Sequence, residues 1–364
     1  MRRKQQTGAH PMATQKDVAK KAGVSFITVS RVINNEGNVK EATRKKVEDA
    51  IRELCYFPSF AGKALNSGRN NTIGIMTPIR FNEGIENTYL MSLLKGIERA
   101  CRENGQDILL SPMVEDSGSF DYLRPYRQRK VDGLIYVGLQ SLSGSMIDEI
   151  NDLLIPCIVI ADRPGHKRIS WIDTDNERAG YETTKQIWKR GHRVIAFHGL
   201  EPAIHNANIA DREAGFRRAF RELAGTEPDE RLFIRSGYDG ESIRKSIHAL
   251  FNPACRYRGT PEPTAVFCST DNRAIAVVQE LASLGLTVPG DVSIVGFDGF
   301  ARFYHSSPTI ATNAQPLPEM GELAVRILLE HIANRNLPRR EVVMTVPFVD
   351  GESLGNLGTP GGRA

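Results

Sequence analysis

"GVSFITVSRVIN", residues 23–34, sets an apolar series against a polar one. On a helix that begins near Phe26, the side chains of Val29, Val32 and Ile33 recur at steps of three and four and share one face. Phe26, Ile27, Ser30, Arg31 and Asn34 stay on or near the other. A short helix with an apolar underside and an outer face of hydroxyl, guanidinium and amide groups fits two roles: an ordinary surface helix, or one that lies in a groove of nucleic acid. The flanks decide between them. Upstream, "QKDVAKKAG" (15–23) carries Val18, Ala19 and Ala22 on one face, and Thr14 is a good N-cap. Gly23-Val24-Ser25 is then a tight break, with Ser25 placed to cap the next helix. Downstream, "EATRKKVEDAIRELCY" (41–56) has Val47, Ala50, Ile51 and Leu54 at helical spacing. Two short helices around a glycine-containing turn, buttressed by a third, make a helix-turn-helix whose second helix enters the major groove. On that reading Phe26, Ile27 and Arg31 face base edges, while Ser25, Thr28, Ser30 and Asn34 mainly hold phosphates. Phe26 and Ile27 bring no hydrogen-bonding group, so their recognition is by apolar contact, for instance with thymine methyls.

The charge distribution agrees. Residues 1–70 hold 14 Lys/Arg against 6 Asp/Glu, a surplus of +8, so the chain's net +4 leaves −4 for residues 71–364. A basic small domain joined to a mildly acidic large one suggests that only the first meets a polyanion. At 364 residues the chain is too long for one core, and two or three domains are expected. No stretch of eighteen apolar residues occurs, so no membrane span is expected. The start, "MRRKQQTGAHPMATQKD", is basic without an apolar core and is not a secretory signal. Residues 1–11 read as a disordered tail. The five cysteines are odd in number, irregular in spacing and free of any CxxC pair. They read as reduced thiols of a cytoplasmic protein, neither a disulfide framework nor a metal site.

After Pro58 the stretch "SFAGKALNSGRNN" (59–71) is rich in small residues around Leu65; composition alone reads it as a linker. From Thr72 the pattern changes. Short apolar, β-rich runs ("TIGIM", "DILLS", "DGLIYVG", "CIVIAD", "VIAFHG", "AVFCST", "VSIVGFD") alternate with helical stretches at 89–104, 177–190, 211–223, 272–284 and 318–334. This is the βαβ alternation of parallel sheets covered on both faces, long enough for two doubly wound subdomains. A ligand would lie beyond the carboxyl ends of the strands. Several strands end in polar groups there: Asp162, Thr270-Asp271 and Asp298.

These segments together resemble the LacI/GalR family of bacterial transcription regulators, from residue 13 to about 355. "ATQKDVAKKAGVSFITVSRVIN" and "VKEATRKKVEDAIRELCYFPS" resemble its DNA-binding signature. "DTDNERAGYETTKQIWKRGHRVIAFHG", "DREAGFRRAF", "STDNRAIAVVQELASLGLTVPGDVSIVGFDG" and "VDGESLG" resemble its core. The resemblance implies a three-helix helix-turn-helix domain over 12–57 and a hinge over 58–71. It implies a two-lobed core of the periplasmic sugar-binding type over 72–355, with a tail over 356–364. It turns the linker into a helix that folds on the operator, with Leu65 wedged into the minor groove. Thr14, Asn38 and Asn66 join the DNA-contacting positions. Between the lobes it places Asp162, Asp175, Arg212, Tyr238, Thr270 and Asp298 on an effector, most simply a sugar. Arg212 is set at the opening of a helix, where a cation is disfavoured, and its fork-shaped donors suit vicinal hydroxyls or a carboxylate. Thr77, Pro78, Arg80 and Phe81 are further candidates.

The function implied is an effector-controlled repressor that binds double-stranded operator DNA. The rival is a solute-uptake sugar-binding protein, which the basic helix-turn-helix and the lack of a secretory signal disfavour. No HExxH, GxSxG, P-loop or GxGxxG is present, so neither catalysis nor a cofactor is expected. A homodimer is expected because one helix-turn-helix reads half a site. The glycine-rich end "GESLGNLGTPGGRA" lacks the heptads of a tetramer-forming helix.

Overall fold

The computed structural model describes residues 13–37, 39–57, 68–77, 87–110, 115–116, 119–138, 142–166, 168–204, 206–251, 259, 261–300 and 307–357. By internal contacts the chain divides into two units, Met1–Asn70 and Asn71–Ala364.

The first unit is three helices: α1 (Gln15–Ala22), α2 (Phe26–Ile33) and α3 (Glu41–Glu53). Thr14 caps α1 through a reciprocal box, its hydroxyl facing the Asp17 N–H while the Asp17 carboxylate accepts from the Thr14 N–H at 2.8 Å. Gly23 ends α1 in the left-handed conformation, φ 65°, which costs glycine nothing and lets the chain turn sharply. Ser25 then caps α2, accepting from the Thr28 N–H at 3.2 Å. Val18, Ala19, Val29, Val32, Val47, Ala50 and Tyr56 form one core, with Ile33, Ile51 and Leu54 packed against it.

In the second unit the strands run, in chain order, β1 (Thr72–Met76), β2 (Asp107–Leu110), β3 (Glu115–Asp116), β4 (Ser119–Phe120), β5 (Gly133–Val137), β6 (Cys157–Ile160) and β7 (Ser170–Thr174). They continue as β8 (Ile195–Leu200), β9 (Phe233–Ser236), β10 (Ala265–Cys268), β11 (Ser293–Val295), β12 (Thr312–Asn313), β13 (Glu341–Met344) and β14 (Phe348–Val349). Lobe one is a six-stranded parallel sheet ordered β13-β7-β6-β5-β1-β2. Lobe two is a four-stranded parallel sheet ordered β11-β10-β8-β9. Each sheet is covered on both faces, and each therefore carries two clusters of buried apolar residues.

The chain passes between the lobes three times. It leaves lobe one after β7, where the Asp175 N–H donates to the Met344 carbonyl at 3.0 Å. It returns at Gln315-Pro316 into the helix Leu317–Ala333, whose Met320, Ala324 and Leu328 join the lobe-one core beside Leu90, Leu93 and Ile97. It leaves again after β13, and β14 pairs with β12. In each lobe two helices meet backbone to backbone at glycine. A Cβ built on Gly215 of the helix Ala207–Ala224 would lie 2.0 Å from the Glu177 carbonyl oxygen, and one on Gly180 2.3 Å from that of Arg212. Gly96 and Gly321 do the same for the helices Asn87–Glu103 and Leu317–Ala333.

Every apolar run expected to be a strand is one. Strands β7, β9 and β13, and the two-residue strands β3, β4, β12 and β14, were not expected. β7 reads Ser-Trp-Ile-Asp-Thr because its polar side chains are buried in a hydrogen-bonded network, and β13 is an edge strand with alternate residues exposed. The helix Gly240–Phe251 was also missed, although Ile243, Ile247, Leu250 and Phe251 recur at helical spacing. The helix expected over 211–223 begins four residues earlier, at Ala207 with an Asn206 cap. Arg212 therefore lies in its second turn and does not open it, so its cation does not stand at an unfavourable helix N-terminus.

Candidate functional site

On α2 the two faces separate as the spacing predicts. Val29 and Val32 are buried, while Phe26 and Ile27 are 49% and 63% exposed. No core claims these two large apolar side chains, which stand at the start of a helix beside exposed Arg31. The hydroxyls of Ser25 and Thr28 lie 2.9 Å apart, and the Asn34 amide donates to the Ser30 hydroxyl at 3.4 Å. These hydroxyls are oriented by local bonds at exposed positions, where they keep lone pairs for a further partner. Asn38, Leu65 and Asn66 lie outside the described residues, as do Pro78, Arg80 and Phe81.

The second site forms where the strands' carboxyl ends meet the crossing segments. Arg212 is its centre and is 4% exposed. Its Nε donates to Asn176 Oδ1 at 2.8 Å and its Nη1 to the Ser269 carbonyl at 2.5 Å. Nη1 is also 3.6 Å from Asp298 Oδ1, and the guanidinium lies over the Phe297 ring, 3.6 Å from its centroid. Asp298 accepts from the Gln315 amide at 2.7 Å, and Thr174 Oγ1 donates to Gln315 Oε1 at 3.2 Å. The network thus runs from one lobe through a crossing segment to the other. Asp271 builds the loop that carries Asp298: its carboxylate accepts from Gly299 N at 2.9 Å, Phe300 N at 2.8 Å and Thr312 Oγ1 at 2.6 Å. Asp298 itself holds φ 126°, and Ala161, at the end of β6, holds φ 62°. Left-handed backbone at non-glycine residues is costly and gathers at binding sites.

Burial pushes the Asp298 carboxyl up to about 7, reinforced by Asp271 and opposed by Arg212 and the Gln315 hydrogen bond. Its folded value lies above the ordinary carboxylate range, so the stability it contributes is present in full below about pH 4 and lost as pH rises to about 7. Asp298→Asn should therefore flatten the wild-type decline in stability to urea between about pH 4 and 7, a slope of about 1.4 kcal/mol per pH unit at most. Parallel pH profiles of wild type and variant would contradict this.

The six candidate cleft residues divide. Arg212 and Asp298 are together at the centre. Asp175 and Thr270 are N-caps, accepting from Arg178 N at 3.2 Å and Arg273 N at 3.3 Å, so both also serve their helices. Asp162 is buried at the end of β6 and accepts from the Arg163 N–H at 2.9 Å. Tyr238 is 47% exposed, its ring 5.8 Å from the Arg273 guanidinium. Thr77 is buried at the end of β1.

Five members were not among the sequence candidates: Tyr89, Asn176, Gln315, Arg163 and Asp173. Tyr89 sits with its phenol in the field of Asp298, Asp173 and Arg212, and burial, then the two carboxylates, push its pKa up. Gln315 and Asn176 complete the cage around Arg212 and Asp298. Arg163 donates from Nε to Asp173 Oδ2 at 2.7 Å in lobe one and reaches Asp211 of lobe two at 3.7 Å. Beside it the Asn208 amide donates to the Ala161 carbonyl at 3.0 Å, a second bond across the lobes. Asn176, Gln315, Arg163 and Asp173 carried one sequence signal, their position within a few residues of a strand end or crossing; Tyr89, on the helix Asn87–Glu103, did not. No group of three or more His, Cys, Asp or Glu among the described residues could hold a metal ion. No helix among them is long and apolar enough to cross a membrane.

Residues 14–59 match the model of bacterial regulatory proteins of the lacI family, and residues 184–354 match that of a periplasmic binding protein-like domain. The HTH-type transcriptional regulator RegA of Clostridium saccharobutylicum is 33% identical over 94% of this chain and 99% of its own. The HTH-type transcriptional repressor PurR of Aliivibrio salmonicida is 31% identical over 95% and 100%. A solved complex of the transcriptional regulator CelR with cellobiose superposes with a TM-score of 0.66 at 26% identity, over 94% of this chain and 99% of that one.

Proposed function

The chain belongs to the lacI family of bacterial regulatory proteins, and we propose that it represses transcription from a near-palindromic operator under control of a sugar-like molecule bound around Arg212. As a member of this family it is a DNA-binding regulator and not an enzyme.

One observation carries the effector reading. A buried, fork-shaped donor, two buried carboxylates (Asp298 and Asp173) and a phenol converge at strand ends between two lobes. Donors and acceptors so mixed, with the charges largely answering each other, suit a neutral polyhydroxylated ligand better than a strongly ionic one. The cellobiose bound by CelR supports a carbohydrate. We assign Arg212, Asp298 and Asp162 to direct contact, Asp175 and Thr270 to the cleft wall, and Tyr238 to its rim. On the DNA side we assign Phe26, Ile27 and Arg31 to base edges. Thr14, Ser25, Thr28, Ser30, Asn34 and Asn38 take phosphates, and Leu65 with Asn66 the minor groove. The corresponding domains are 12–57, 58–71 and 72–355, with tails at 1–11 and 356–364. The protein acts in the cytoplasm as a homodimer, because two half-sites need two copies of α2.

The test is a thermal-shift screen of neutral sugars on the full chain, followed by operator binding with and without each hit. A ligand at a hundred times its dissociation constant raises stability by about 2.7 kcal/mol. Absence of any shift from sugars, with a shift from purines, would replace the carbohydrate reading. On DNA, Arg31→Ala should cost about 1–3 kcal/mol at one base position. Leu65→Ala should reduce operator affinity and bending while sparing non-specific binding. Equal losses on operator and random duplex from Arg31→Ala would make it a phosphate contact instead.

A further inference from the structure

A second cavity, of about 240 Å³, lies in lobe one away from the interlobe cleft. Residues just before β6, β7 and β13 line it, so it opens at the amino ends of those strands, whereas the cleft lies beyond their carboxyl ends. Arg168, Arg335 and Arg339 line it together with His331 and Asn151, and no carboxylate among the described residues does. Arg339 is partly committed: it pairs with Glu341 and donates to the His166 carbonyl at 2.6 Å. Arg168 and Arg335 make no ion pair or hydrogen bond among the described residues. Two helices, Gly144–Asp152 and Leu317–Ala333, end at the cavity, and each C-terminus contributes about half a negative charge. Three guanidiniums outweigh them.

The uncharged groups carry further information. Asn151 donates from Nδ2 towards His166 Nε2 at 3.1 Å, leaving its Oδ1 buried with no partner. That oxygen is closed off from the cavity, and the groups that face a ligand there are the forked cations, which suit an oxyanion. Guanidinium forks match phosphoryl oxygens in geometry as well as charge.

We propose that this cavity is a second ligand site, for a phosphate or compact phosphate monoester, independent of the interlobe cleft. Calorimetric titration of the full chain with glycerol 3-phosphate, inorganic phosphate and glycerol tests it. Glycerol 3-phosphate and inorganic phosphate should each saturate one site per chain, and glycerol should not bind. Arg168→Ala combined with Arg335→Ala, both exposed and outside the core, should weaken glycerol 3-phosphate at least tenfold, about 1.4 kcal/mol. Arg163→Ala at the cleft and Arg326→Ala on an exposed helix face should leave it within twofold. The proposal falls if neither phosphate probe saturates. It falls equally if Arg163→Ala abolishes binding while the double variant retains it, or if all these variants weaken binding alike.

Discussion

Arg212→Ala should destabilise the protein by about 3–5 kcal/mol, the usual penalty for removing one member of a buried, hydrogen-bonded charge pair. The change strips donors from three groups at once: Asn176 Oδ1, the Ser269 carbonyl and Asp298. It also empties the space over the Phe297 ring. One effect limits the loss. Without the guanidinium, burial and Asp271 drive the Asp298 carboxyl further up, and at neutral pH it takes a proton instead of remaining an unpaired buried charge. The cost should therefore be smaller at pH 6 than at pH 8. Arg212→Lys should not restore stability, because a single ammonium cannot serve Asn176 and Ser269 in their fixed directions. Urea unfolding of both variants at the two pH values measures this. A loss below about 1 kcal/mol would mean that the cage relaxes around the gap. Both variants should lose the sugar response while retaining operator binding, since the α1–α3 unit has its own core.

Gly215→Ala has opposing contributions. In a helix alanine is better than glycine by about 1 kcal/mol. Here the added Cβ would stand 2.0 Å from the Glu177 carbonyl oxygen and 2.7 Å from the Tyr181 nitrogen, both backbone atoms of the facing helix. Backbone cannot swing aside as a side chain can, so the helices must separate, and overpacking of this kind costs about 1–3 kcal/mol or more. The clash wins. Separation also moves Arg212, whose carbonyl lies against Gly180 in the same crossing, so ligand affinity should fall with stability. Gly225→Ala in a surface cap with nothing within 4 Å is the control; it should carry only the cost of its left-handed φ. A loss at Gly215 no larger than that at Gly225 would mean that the facing helices accommodate the added methyl.

The DNA-facing helix could be read almost residue by residue, because every determinant is local. A cap, a glycine turn and three- and four-residue spacings fix which faces are buried, and the structure buries those. The lobes' strands were equally plain where both faces are covered, since continuous apolar runs mark them. What the sequence concealed is the polar middle. β7 shows no apolar run because Asp173 and Thr174 spend their side chains on Arg163, Asn176 and Gln315. Gln315 lies 139 residues from Asn176 in the chain, and nothing local announces that they surround one guanidinium. Tyr89 sits on a helix whose periodicity assigns it to the core, and only the tertiary fold turns its phenol towards Asp298. Arg212 was placed by the family resemblance; the supporting reason, a helix start at 211, fails because the helix begins at Ala207, and the structure sets Arg212 among Asn176, Ser269 and Asp298.

The three passages between lobes set an order of events during synthesis. The α1–α3 unit leaves the ribosome first, with every residue of its core already made. Lobe two, from β8 to β12, can follow as a nearly continuous stretch. Lobe one cannot: its oldest strand, β1, must wait for the helix Leu317–Ala333 and for β13, which arrive some 240 residues later. Until then Leu90, Leu93 and Ile97 have no partner helix, and an apolar face of the nascent chain stands open to other chains. A ribosome stalled near residue 315 would carry a finished DNA-binding unit on an unfinished sensor. The coding order thus makes the chain's last seventh, roughly, a checkpoint on its first lobe.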